Sequence, residues 1–377
     1  MRKSIAVFAA GLLAAGCAKA PVVEEVIPVP ESSHFTLEDV SRLLGAVPIG
    51  REQVGEVHDA VLSSARNGYD NEYMMKDVFA SPGAGVGDDG ESKAAPTYSR
   101  PLRDLLRDAV TATKAGGDGF EFLDALASSD VQIYWPYPEE WDGKQMPVIT
   151  FDPGDYAQTN WGYSPSGEKV LVDEQMALER PVWVVSRNSD AEYASLEMLR
   201  REDPSWGEGG GDLLVKPRST DLKTLILRSF NAKRQYDSWF AGASEFFVKV
   251  GSVKDFTAST EGELRIYQPQ ITDFMIVVRR GSTGKTLPFN AILIPEWTKG
   301  MQNCAFMILE DDGGTRTSWK TSAVVKVNSK SYGVEIDIPV NQRDDIVWRG
   351  ALTPGFIQKY SGETISLGDI DLVLELI

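Results

Sequence analysis

SYGVEIDIPV, residues 331–340, alternates apolar and polar positions without a break. Tyr332, Val334, Ile336, Ile338 and Val340 share one face, and Ser331, Gly333, Glu335 and Asp337 share the other. A period of two marks a strand with one face on a core and one in water. IDLVLEL, residues 370–376, repeats the pattern, setting Ile370, Leu372, Leu374 and Leu376 against Asp371 and Glu375. Further strand-like runs lie at Leu222–Phe230, Phe246–Val250, Leu264–Tyr267, Phe274–Val278, Phe289–Ile294 and Cys304–Leu309. Short strands following one another at turn-sized intervals predict a mostly antiparallel β-sandwich over residues 222–377.

Upstream the period lengthens to that of a helix. Thr36 is a good N-cap with Asp39 three residues on, ahead of the stripe Leu37, Val40, Leu43 and Leu44. Arg51–Arg66 carries Val54, Val57, Val61 and Ala65 on one face and stops at Asn67-Gly68. Ser99 is placed to cap a third helix with Leu102, Leu105, Leu106, Ala109 and Val110, and Phe120–Ala127 reads as a fourth. Residues 81–97 form an insert of small and acidic residues. Strand patterns begin at Val131, Ile133 and Trp135 and continue in MPVITF (146–151) and PVWVV (181–185). A short helix is predicted over Ala191–Arg201 with Asp190 as its cap. The fold class is therefore α+β: a helical region over 34–128, a mixed α/β region over 129–221 and the C-terminal sandwich.

The first residues carry an address. Arg2 and Lys3 precede an apolar run from Ile5 to Ala15, about half the ~20 residues of a spanning helix, which reads as a signal peptide. LAAGC, residues 13–17, reads as a lipobox, with residues 1–16 removed, Cys17 lipidated and residues 18–33 as a flexible tether. A cut after Ala20 is the alternative. The expectation is a lipid anchor in the bilayer of a bacterial cell envelope, at the outer membrane. With Cys17 in lipid, Cys304 has no disulfide partner and reads as a small buried hydrophobe.

Composition narrows the chemistry. Asp and Glu number 55 against 38 Lys and Arg, a net charge of −17, which argues against a phosphate backbone as partner, since that needs a concentrated basic surface. Only His34 and His58 are present, and neither sits in a Ser-His-Asp or zinc-hydrolase context. GVGDDG (85–90) matches a dinucleotide-binding pattern by letter, but its acidic setting repels phosphate. Glu310-Asp311-Asp312 ends an apolar strand and Asp344-Asp345 follows another. Sandwich loops can bring such acids together, making Asp311, Asp312 and Asp345 candidate Ca²⁺ ligands, although aspartate is also common in turns. Tyr134, Trp135, Tyr137, Trp141, Tyr156, Trp161 and Tyr163 cluster within thirty residues, with Glu139, Glu140, Asp142, Asp152 and Asp155 among them. Aromatics in such a group either fill the junction between helical and β layers or offer faces to sugar rings. Trp135, Trp141 and Trp161 are the candidate ligand-binding residues. The acids would act in a glycosidase only as a pair about 5–9.5 Å apart.

DVQIYWPYPEEWDGKQMPVITFDP (130–153), PVWVVSRNSD (181–190), YDSWFAGASEFFVKVGSV (236–253), EDDGGT (310–315) and SYGVEIDIPVNQRDDIVWRG (331–350) resemble a family of uncharacterised bacterial envelope lipoproteins. The resemblance runs over most of the chain beyond Cys17. It implies an envelope location and transfers no activity or site residue. The function expected is a non-catalytic binding or assembly module for a glycan or protein partner. The alternative is a carboxylate-dependent hydrolase of polysaccharide.

Overall fold

The computed structural model describes residues 35–80, 98–113, 118–154, 157–188, 193–202, 222–253 and 256–377. The signal peptide, Cys17, the tether, His34, the 81–97 insert, Asp155, Tyr156 and Asp190 lie outside them.

Thr36 caps α1 (Leu37–Ala46) reciprocally: its hydroxyl accepts from the Asp39 N–H at 3.1 Å and its own N–H donates to Asp39 at 3.0 Å. α2 (Arg51–Arg66) ends where Gly68 turns the chain at φ +82°, a conformation open to glycine at no steric cost. β1 (Glu72–Met74), α3 (Met75–Phe79), α4 (Leu102–Thr113) and α5 (Asp118–Ala127) follow. Ser99 does not cap α4. It bonds instead to Glu52 of α2, and buried Glu56 accepts from the Leu102 N–H at 2.6 Å. The amphipathic α2 thus supplies the cap that the first turn of α4 needs.

A six-stranded sheet comes next in the chain, built from β1, β2 (Val131–Tyr134), β3 (Val148–Phe151), β4 (Thr159–Tyr163), β5 (Lys169–Asp173) and, after α6 (Glu174–Glu179), β6 (Val182–Arg187). Its order is β1-β2-β6-β3-β4-β5, antiparallel except between β3 and β6. Strand alternation sorts its side chains. Val131, Ile133, Trp183 and Val185 join the helices in one core, as does Trp135 just beyond β2. Tyr134, Val148, Val182 and Val184 meet Trp239 and Phe240 on the other face. α7 (Leu196–Glu202) begins five residues later than its sequence pattern suggests. Its first turn is capped by Ser195, whose hydroxyl accepts from the Met198 N–H at 3.1 Å.

The remaining strands are β7 (Leu222–Ala232), β8 (Ser244–Val253), β9 (Pro269–Val278), β10 (Leu287–Thr298), β11 (Cys304–Glu310), β12 (Arg316–Val327), β13 (Lys330–Asn341) and β14 (Asp345–Leu352). After α8 (Pro354–Lys359) come β15 (Thr364–Leu367) and β16 (Ile370–Leu376). They form two four-stranded antiparallel sheets, β10-β7-β16-β15 and β14-β11-β8-β9, plus the β12–β13 hairpin. The largest core lies here and includes Phe230, Phe246, Phe306, Leu372 and Leu374. The architecture is α+β, with helices concentrated toward the N-terminus and a β-rich C-terminal part. Leu264–Tyr267, expected as a strand, is instead a 3₁₀ turn over Glu263–Ile266. Glu263 accepts from the Ser259 and Thr260 N–H groups and winds the segment, while Ile266 is 72% exposed and has no core face to serve. Cys304 is fully buried, and burial pushes its thiol up to about 12, which removes the thiolate a nucleophile needs. Among the described residues no helix is long and apolar enough to cross a membrane.

Candidate functional site

The strand pattern that ends β11 and begins β8 brings three carboxyl groups together from distant parts of the sequence. Glu310 is the last residue of β11, in register with Phe246 of β8 on one side and Asp345 of β14 on the other. Glu245 lies one residue before Phe246, and its carbonyl accepts from the Asp311 N–H at 3.1 Å. Asp237 comes from the loop between β7 and β8. Ser244 holds that loop by accepting from the Tyr236 N–H at 2.8 Å, and Gln235 pins it to the Val278 carbonyl at 2.8 Å. Carboxylate oxygens of Asp237, Glu245 and Glu310 all lie within 4.8 Å of one another.

Burial makes this arrangement costly. Glu310 is 0% exposed and Glu245 is 9% exposed. Burial and the Asp237 charge push the Glu310 carboxyl far above the usual range, with Asp312 and Asp345 adding to the effect. Asp237 is also raised, chiefly by burial, with its close approach to Glu310 and then the Arg280 charge offsetting part of that. The neighbouring acids are differently occupied. Asp311 is buried and accepts from Asn341 Nδ2 at 2.9 Å and the Gly313 N–H at 3.2 Å. Asp344 accepts from the Asn341 N–H at 2.6 Å, and its own burial pushes its carboxyl to about 6. Of the expected Ca²⁺ ligands Asp311, Asp312 and Asp345, the structure turns Asp311 inward and leaves the other two exposed. The acids that converge are Glu310, one residue earlier, with Asp237 and Glu245.

Arg280 borders the cluster. Its side chain is 8% exposed and donates to the Asp237 carbonyl at 2.7 Å, the Gly242 carbonyl at 3.2 Å and Glu174 at 3.3 Å. Asp70, 2% exposed, accepts from the Ala243 N–H at 2.8 Å on the same loop. A Cβ on Gly242 would stand 3.0 Å from that carboxylate, so glycine allows the approach.

The three candidate tryptophans separate. Trp135 is 1% exposed and enclosed by His58, Trp141 and Trp183, at ring separations of 5.5, 5.7 and 6.2 Å, so it offers no face to a ligand from outside. Trp141 is half-buried against His58 at 5.0 Å and donates to the Gln145 carbonyl at 2.9 Å. His58 is a packing residue whose Nε2 lies 3.1 Å from the Pro138 carbonyl. Trp161 alone of the three is open, at 52% exposure, and stands opposite Leu171, also 52% exposed, across β4 and β5. Lys169 Nζ lies 5.5 Å from the Trp161 ring. Side-chain bonds brace this hairpin against β3: Thr150 donates to the Trp161 carbonyl and Asn160 to the Phe151 carbonyl. Gly162 permits the close fit, since a Cβ there would meet the Ile149 carbonyl at 2.8 Å. Glu139 and Glu140 lie exposed on a 3₁₀ turn, and Asp142 is engaged by the Lys144 and Gln145 N–H groups. The Asp152 charge acts on Asp237 and so lies near the acidic cluster.

Compared with family models, curated proteins and solved structures, the chain matches none.

Proposed function

We propose that the chain is a non-catalytic binding module of the bacterial envelope, held at the outer membrane through a lipid on Cys17, and that it grips a protein partner through the β4–β5 hairpin. The observation that carries the reading is the exposed Trp161–Leu171 pair on a hairpin that ends a sheet. Large apolar side chains side by side in water mark contact surfaces more often than chance exposure does. Among the described residues β5 pairs only with β4, leaving main-chain groups on its far side for an added strand. A backbone-pairing edge favours a polypeptide over a glycan. The buried Trp135 leaves Trp161 as the one candidate tryptophan with a large free face for sugar stacking.

The test compares the wild-type protein with Trp161→Ala and Leu171→Asp, using envelope extracts and a polysaccharide panel. Both substitutions lie on an exposed face and should change stability by less than about 0.5 kcal/mol. The expected result is one protein retained by wild type and released by both variants at unchanged melting temperature. Polysaccharide retention abolished by Trp161→Ala would make this a glycan module instead. Reducing-end release would make it a hydrolase, and a partner that still binds both variants would remove the hairpin from the account.

A further inference from the structure

The cluster of Asp237, Glu245 and Glu310 plays no part in the hairpin surface, and two of its members carry buried oxygens that the described residues leave without donors. Glu310 is wholly enclosed, yet among the described residues neither of its carboxylate oxygens has a hydrogen-bond donor, and the same holds for Asp237 Oδ2. Buried carboxylates without donors are rare because desolvating an unpaired charge costs several kcal/mol. Arg280 gives them charge but no hydrogen bond: its guanidinium is taken by two backbone carbonyls and Glu174. An enclosed Glu310 also cannot touch a substrate, which removes acid–base catalysis as the reason for the cluster.

We propose that Asp237, Glu245 and Glu310 bind a calcium ion that ties the 235–244 loop to the ends of β8 and β11. Three carboxylates are the hard oxygen donors that Ca²⁺ selects. Oxygens no more than 4.8 Å apart can share one ion at Ca–O distances of about 2.3–2.6 Å, and Ca²⁺ accepts an irregular, carboxylate-rich shell where Mg²⁺ demands a near-ideal octahedron and keeps several waters. The competing way to settle the same charges is a proton shared between Asp237 and Glu310. The raised Glu310 carboxyl fits either an ion or a proton, so the experiment must separate them.

The full chain, stripped with chelator and desalted, is titrated with CaCl₂ at about pH 7.5 by calorimetry in two buffers of different ionisation enthalpy, with MgCl₂ in parallel. The expected result is saturable 1:1 Ca²⁺ binding in or below the roughly millimolar range of extracellular modules, with proton release and weaker Mg²⁺ binding. The melting temperature should rise by about 2 °C or more at saturating Ca²⁺. Glu310→Gln keeps the shape, removes the charge, and should weaken Ca²⁺ binding at least about tenfold. If that variant does not fold, Glu245→Gln provides the same reading from a less enclosed position. No saturable binding up to about 5 mM Ca²⁺ would overturn the proposal and leave the shared proton as the answer. Unchanged Ca²⁺ affinity in the glutamine variant would overturn it equally, because the ion would then sit elsewhere.

Discussion

Arg280→Met is expected to destabilise the protein by about 3 kcal/mol, read as a drop in the urea midpoint at constant slope. Methionine keeps the apolar stem and removes the guanidinium, so the loss reports hydrogen bonds and charge together with the volume the guanidinium vacates. Two carbonyls, of Asp237 and Gly242, would lose their donor in a nearly closed site, and each unsatisfied acceptor costs about 1–3 kcal/mol. Asp70 would lose one of the two guanidinium charges that offset its burial, the other being Arg279. The pH dependence follows from its sign. Burial holds the Asp70 carboxyl above its ordinary value, so its contribution is complete below the unfolded value of about 4 and is lost as pH rises through the folded one. Removing Arg280 raises the folded value further, and the deficit of the variant should therefore be larger at pH 8 than at pH 5. Arg280→Lys should recover part of the loss, since an ammonium restores charge but not the fork that reaches three acceptors at once. A deficit below about 1 kcal/mol would mean that water replaces the guanidinium without penalty.

The same region shows what a sequence reveals and what it withholds. Periodicity located β13 and β16 because each has one wet and one dry face, and it located α1 and α2 because their caps and stripes are local. It missed β12 and β14, in which RTSWKTSAVVKV and DIVWRGAL present mixed or largely exposed faces. β12 is held by its partner: it pairs with β13 along its whole length. β4 and β5 escaped for a related reason, since TNWGY and KVLVD bury only Gly162 and Val172 fully. Acidity at the strand ends was legible as a local excess of aspartate. The convergence of Glu310 with Asp237 and Glu245 was not, because it depends on the register between β8 and β11 and on a loop folded back through Ser244. Glu310 followed an unbroken apolar run and faced inward with it; a charged residue in phase with a buried strand was the available signal.

Trp135→Ala is expected to cost about 3–5 kcal/mol, the range for emptying a buried aromatic site, while leaving partner binding of the folded fraction unchanged. Trp135 lies where the helical layer meets the six-stranded sheet, enclosed by rings from α2, the segment after β2, and β6. Helices and sheet cannot close over the vacated volume without moving against each other. Trp141→Ala should cost less, because that ring is already half-exposed. A double-mutant cycle should return about 0.5–1.5 kcal/mol of coupling for the edge-to-face Trp135–Trp141 pair, beyond the two separate losses. Trp135→Phe discriminates further. The Trp135 indole N–H has no hydrogen-bond partner among the described residues, so phenylalanine removes an unpaid desolvation along with some volume. The net loss should stay below about 1.5 kcal/mol. A phenylalanine variant as damaged as the alanine one would show instead that the indole N–H is satisfied in solution and holds the layer junction in place.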